Sequence, residues 1–90
     1  LIYLYLENNQ LTTPPIFDGL VNLKSLWLNN NQLANTPSLE GLVKLEFLHL
    51  SDNKLKTPPN LDGLVKLQEI YLSRNPLGNP PTHKSAVIHI

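Results

Sequence analysis

Every twenty-second residue of this chain returns to the same chemistry. Leu1, Leu23, Leu45 and Leu67 form one column, Leu4, Leu26, Leu48 and Ile70 a second, and Leu6, Leu28, Leu50 and Leu72 a third. Asn9, Asn31, Asn53 and Asn75 share a column, and so do Leu11, Leu33, Leu55 and Leu77. Pro15, Pro37, Pro59 and Pro81 align, and Gly19, Gly41 and Gly63 precede a Leu-Val pair each time. Rows 23–44 and 45–66 are identical at eleven of 22 positions, far above chance for this composition. A fixed period in this range marks a one-dimensional array. Each unit is too small to bury its own apolar face, so units stack into one continuous core. The rows 1–22, 23–44, 45–66 and 67–88, the last partial or cap-like, are read as one domain over residues 1–90.

The chemistry within a row predicts its path. The Leu-x-Leu alternation at Leu4–Leu6 or Leu26–Leu28 reads as a short strand with one buried face. A 22-residue step is too long for a hairpin and brings successive strands back side by side in parallel. The Asn that follows each strand can donate and accept at once, so a column of them can satisfy the desolvated turns of successive coils as a ladder. Thr13-Pro14-Pro15, Thr57-Pro58-Pro59 and Asn79-Pro80-Pro81 lack backbone donors and should be extended. Ser38, Asn60 and Thr82 then stand where a short helical turn would be capped. Asp18, Glu40 and Asp62 sit near the start of that turn, with Glu40–Lys44 and Asp62–Lys66 spaced for pairing. These signals predict short 3₁₀ or α turns on the return side, with Phe17 in the core column of Leu39 and Leu61.

Each row opens L-x-x-L-x-L-x-x-N-x-L and carries further leucines at row positions 17 and 20, as in Leu39 and Leu42 or Leu61 and Leu64. This resembles the leucine-rich repeat over nearly the whole chain. The spacing is similar to the 22-residue class of internalin-like proteins and some phosphatase-regulating subunits. Pro14, Thr36, Pro58 and Pro80 depart from that class, which usually has an aliphatic residue there. The resemblance implies an α/β fold, a right-handed solenoid with a parallel β-sheet on its concave side and short turns on its convex side. It also implies protein recognition as the usual role.

If the residues at row position 4 face inward, those at row positions 3, 5, 7 and 8, called rows 3, 5, 7 and 8 from here on, face out on the inner curve. Row 3 is Tyr3, Ser25, Phe47 and Glu69; row 5 is Tyr5, Trp27, His49 and Tyr71. Row 7 is Glu7, Asn29, Ser51 and Ser73; row 8 is Asn8, Asn30, Asp52 and Arg74. Of the six Phe, Tyr and Trp residues, only Phe17 falls in a core column. Ordinary domains bury most of their aromatics, so a ribbon of them on an open face reads as a binding patch. The anchors are Tyr3, Tyr5, Trp27, Phe47, His49 and Tyr71, and Asn29, Asn30, Asp52, Glu69 and Arg74 tune specificity. Two other readings stand beside this one. The same stripe could stack on sugar rings, or the rings could simply stabilise neighbouring strands in a structural segment of a larger protein.

Other classes have less support. Seven Lys and Arg against seven Asp and Glu leave no basic stripe for a nucleic-acid backbone. With no cysteine there is no disulfide, zinc-thiolate site or thiol nucleophile. No apolar run is long enough to span a bilayer, so no membrane insertion is expected. His49, Ser51 and Asp52 are close in sequence, but an open sheet supplies no oxyanion donors, so no catalytic residue is assigned. His83 and His89 are too few for a metal site, and no cofactor motif is present. Ala86 and Val87 echo the Leu-Val columns, suggesting the start of a fifth coil or a degraded cap. Leu1 opens directly on a repeat without a polar cap, so the reading also expects a longer native chain or end-to-end self-association.

Overall fold

The computed structural model describes residues 1–90 and shows a coil that returns to one sheet edge on every turn. The strands are β1 (Tyr3–Tyr5), β2 (Ser25–Trp27), β3 (Phe47–His49), β4 (Glu69–Tyr71) and β5 (Val87–His89). They form a single parallel sheet in chain order, with Leu4, Leu26, Leu48, Ile70 and Ile88 in register. The first three steps are 22 residues long, as the repeat predicts, and the last, Ile70 to Ile88, is 18.

The core is the leucine columns themselves. Leu23, Leu26, Leu28, Leu33, Leu45, Leu48, Leu50 and Leu55 are fully buried, with Phe17, Leu39 and Leu61 packed behind them. Leu4, Leu6 and Leu11 of the first coil are only partly buried, because that coil has a neighbour on one side. The proline column also turns inward: Pro37, Pro59 and Pro81 are buried. A residue with no N–H suits that place, since it leaves no donor to satisfy.

The Asn column is wired coil to coil. Asn53 Nδ2 donates to Leu50 O of its own coil (3.0 Å) and to Leu28 O of the preceding one (3.0 Å), while its Oδ1 accepts from Leu33 N (3.1 Å). Asn31 repeats the pattern with Leu28 O, Leu6 O and Leu11 N, and Asn75 with Leu72 O, Leu50 O and Leu55 N. Leu28 O and Leu50 O therefore each accept from two consecutive Asn side chains. Asn9 has no preceding coil and bonds only Leu6 O and Glu7 O, both within its own turn.

The return side differs from the expected helical turns: it contains no helix. Leu20 N bonds Phe17 O, Leu42 N bonds Leu39 O and Leu64 N bonds Leu61 O, each closing a four-residue turn. The third residue of each turn is Gly19, Gly41 or Gly63, with φ of +83°, +85° and +81°. That is a type II turn, and a left-handed residue inside it stops a helix before it can propagate. The expected helix furniture is correspondingly reassigned. Asn60 Oδ1 does accept from Asp62 N (2.9 Å), but as an Asx turn. Lys44 reaches Asn22 Oδ1 of the previous coil (3.0 Å), and neither Glu40–Lys44 nor Asp62–Lys66 forms an ion pair.

The fourth return arm is four residues shorter, and His83 closes it. Its Nδ1 accepts from Ser85 N (3.1 Å) and Ala86 N (3.0 Å), and its Nε2 meets Leu64 O (2.8 Å). The imidazole thus replaces the glycine turn of the earlier coils. Val87 consequently pairs with Glu69 in row 3 and leaves the Val column that the sequence echo suggested, while Ala86 packs against the core as the leucines of its column do. No helix is long and apolar enough to cross a membrane.

Candidate functional site

Parallel pairing at a fixed register puts the row-5 side chains in one line across the sheet, on the face opposite the leucine core. The rings meet in sequence. Tyr5 and Trp27 lie 5.3 Å apart edge to face, Trp27 and His49 5.5 Å apart, and His49 and Tyr71 4.8 Å apart. Tyr3 stacks beside Tyr5 at 6.3 Å. The line continues onto β5, where His89 stacks on Tyr71 at 4.4 Å with the planes within 7°. His89 was missed in the sequence because its place depends on the shortened last coil. The signal that could have found it is the triplet Val87-Ile88-His89, which repeats the planar-ring ending of Glu69-Ile70-Tyr71.

Exposure is graded along the ribbon. Tyr3 and Tyr5 are just over half exposed, Trp27 is 37% exposed, and His49, Tyr71 and His89 are half-buried against their neighbours. The indole of Trp27 leans over Ser25, and its Nε1 donates to Ser25 Oγ at 2.8 Å. Ser25 is therefore buried, although its row faces out. Between rows 3 and 5 this leaves a depression of about 280 Å³ lined by Trp27, Phe47, His49, Glu69 and Tyr71 over Ser25 and Leu48.

Row 8 has a backbone task. Asn8, Asn30, Asp52 and Arg74 all sit at φ between 58° and 60°. After glycine, Asn and Asp adopt that left-handed conformation most readily, which accounts for three of the four. Arg74 is the exception, and it forms a two-pronged ion pair with Asp52, Nε to Oδ1 and Nη2 to Oδ2. The Arg74 hydrogen bond and charge pull the Asp52 carboxyl below its usual range, and Asp52 raises Arg74 in turn. In row 7, Ser51 is buried, and Asn29 Oδ1 is buried without a hydrogen-bond partner.

His49 sits between Trp27 and Tyr71 with its Nδ1 buried and unpartnered. Burial lowers its pKa below the ordinary 6.5; Asp52 and Glu7 oppose that, and Arg74 adds to it. The imidazole is therefore neutral at pH 7. No bond joins it to Ser51 or Asp52, and Asp52 is held by Arg74, so the three residues are not assembled as a triad. Tyr71 is raised by burial first and then by the Glu69 charge beside it. Glu69 Oε1 has a long contact, 3.4 Å, with His89 Nε2. No cluster of three or more His, Cys, Asp or Glu side chains could hold a metal.

A family model described as leucine-rich repeats (2 copies) matches residues 1–41 and again 43–83. The chain belongs to the leucine-rich-repeat family. The matched span covers the first four strands, the Asn column through Asn75 and the shared register of the solenoid. Leucine-rich repeats are generally protein-interaction modules and are typically non-enzymatic. A comparison with curated proteins finds no match.

Proposed function

We propose that this leucine-rich-repeat solenoid is a non-enzymatic module that binds a protein ligand on the aromatic face of its sheet. Tyr5, Trp27, His49 and Tyr71 form the central anchor line. Tyr3 and Phe47 flank it, and Asn29, Asn30, Asp52, Glu69 and Arg74 supply the polar rim. The observation that carries the reading is the unbroken run of rings from Tyr3 to His89, turned away from a core made of leucine. Rings supported by a hydrogen-bonded sheet lose little freedom on binding, and aromatic anchors dominate interface energetics. The Asp52–Arg74 pair at the rim presents both signs of charge, which favours register over raw affinity.

The test is affinity capture with the native chain and the double variant Trp27→Ala/Tyr71→Ala in parallel, with hydrogen exchange on the resulting complex. The reading expects a protein retained by the native chain, lost by the variant, and protecting β2 to β4. Retention of the same proteins by both would refute it. A glycan array addresses the sugar alternative, and binding there that depends on Trp27 would favour carbohydrate recognition over a protein ligand.

A further inference from the structure

We infer that the depression between rows 3 and 5 receives a cationic side chain, lysine or arginine, from the protein ligand; the inference rests on the protein-binding reading above. Four rings, Trp27, Phe47, His49 and Tyr71, line the depression, and Glu69 stands among them. Aromatic faces carry negative potential, and a carboxylate beside them adds a full charge, which together make a cage for a cation. No Lys or Arg lines the space, and the basic group nearest Glu69 is the His89 imidazole at 3.4 Å. Arg74, the cation of the neighbouring row, is held by Asp52.

The hydrogen-bonding character points the same way. An anion or a sugar oxygen needs donors, and the strongest candidate donor, the Trp27 indole N–H, is already engaged by Ser25 Oγ at 2.8 Å. Glu69 can only accept when ionised; Tyr71 stands beside it, and the 3.4 Å approach of His89 Nε2 is long enough for a better donor to replace. A lysine ammonium or arginine guanidinium brings N–H donors and positive charge together. The volume of about 280 Å³ lies just below the range of whole small-molecule sites, roughly 300–1,000 Å³, and suits one long side chain with its alkyl stem against the rings.

Trp27 is the only tryptophan, so its fluorescence reports directly from the depression. The experiment titrates the native chain with Nα-acetyl-lysine methylamide and with its uncharged analogue, Nα-acetylnorleucine methylamide, and repeats the lysine titration on Glu69→Gln. The expected result is a saturable change with the lysine amide and binding about fivefold weaker, within the range of a partly desolvated cation–π contact, for the norleucine amide. Glu69→Gln should weaken the lysine amide by a similar factor without changing the unfolding midpoint. Equal response to both amides, no response to the lysine amide, or an unchanged affinity in Glu69→Gln each overturns the inference. If the lysine amide fails while protein capture still depends on Trp27 and Tyr71, the cation pocket falls and the binding face stands. If the lysine amide binds as expected but capture is indifferent to both rings, the pocket stands and the broader reading falls.

Discussion

Replacing Asn53 by Ala should cost about 2–4 kcal/mol, and the accounting is specific to the ladder. The side chain serves three backbone groups at 3.0–3.1 Å: Leu28 O, Leu50 O and Leu33 N. Leu28 O retains a bond from Asn31 and Leu50 O one from Asn75, so each carbonyl loses one of two donors. Leu33 N loses its only bond in a buried site. An orphaned buried N–H costs about 1–3 kcal/mol, and each half-lost carbonyl adds about 0.5 kcal/mol. The same substitution at Asn9 should cost less than about 1 kcal/mol, because Asn9 is exposed, serves no earlier coil, and leaves Leu6 O bonded to Asn31. Asn75→Ala should fall between them, since it orphans Leu55 N in a part-buried place. Urea unfolding of the four alanine variants, Asn9, Asn31, Asn53 and Asn75, gives the order directly. Equal losses at Asn9 and Asn53 would refute the coil-to-coil account.

Two other perturbations follow from the backbone and from His49. Gly41→Ala should destabilise by about 1–2 kcal/mol solely because φ is +85°, as no atom lies within 4 Å of the added Cβ. Gly78→Ala, equally uncrowded and outside the left-handed region, should be neutral or stabilising by up to about 1 kcal/mol; denaturant midpoints check both. His49 has a folded pKa below its ordinary 6.5, so the unfolded chain binds more protons in that window. The stability that neutral His49 contributes is complete above pH 6.5 and is lost as pH falls through the lowered value. The unfolding midpoint should therefore drop on acidification below pH 6.5, with a smaller drop in His49→Gln. An identical pH profile in both would show that His49 is not the group responsible.

The parts of the fold set by repetition were legible, and the parts set by a single residue's backbone state were not. Leu columns, Asn columns and the 22-residue step are translational, so any one coil predicts the next. The return turns were misjudged because Ser38, Asn60 and the acidic column suggest helix starts, while the glycine column decides the outcome through its left-handed φ. Row 8 carried the same kind of signal: Asn8, Asn30 and Asp52 mark a left-handed position, whereas the sequence reading gave Asn30 and Asp52 only a part in ligand specificity. The outward face could be read from strand alternation. The lean of Trp27 over Ser25 could not, because it depends on one side-chain hydrogen bond, and it makes the depression beside Phe47 and Glu69. The start of a fifth coil was legible, but its 18-residue step was not, because a histidine side chain does there what a glycine turn does elsewhere.

Whether the rings recognise a partner or merely brace the strands is decided by measuring Trp27→Ala for stability and for affinity toward the captured protein on the same preparation. Loss of the Ser25 bond and of contacts with Tyr5 and His49 should cost about 1–3 kcal/mol of folding stability. Affinity should fall about thirtyfold, the scale of a 2 kcal/mol interface anchor. An unchanged affinity, with stability lost to the extent seen for the fully buried Leu26→Ala, would contradict the account.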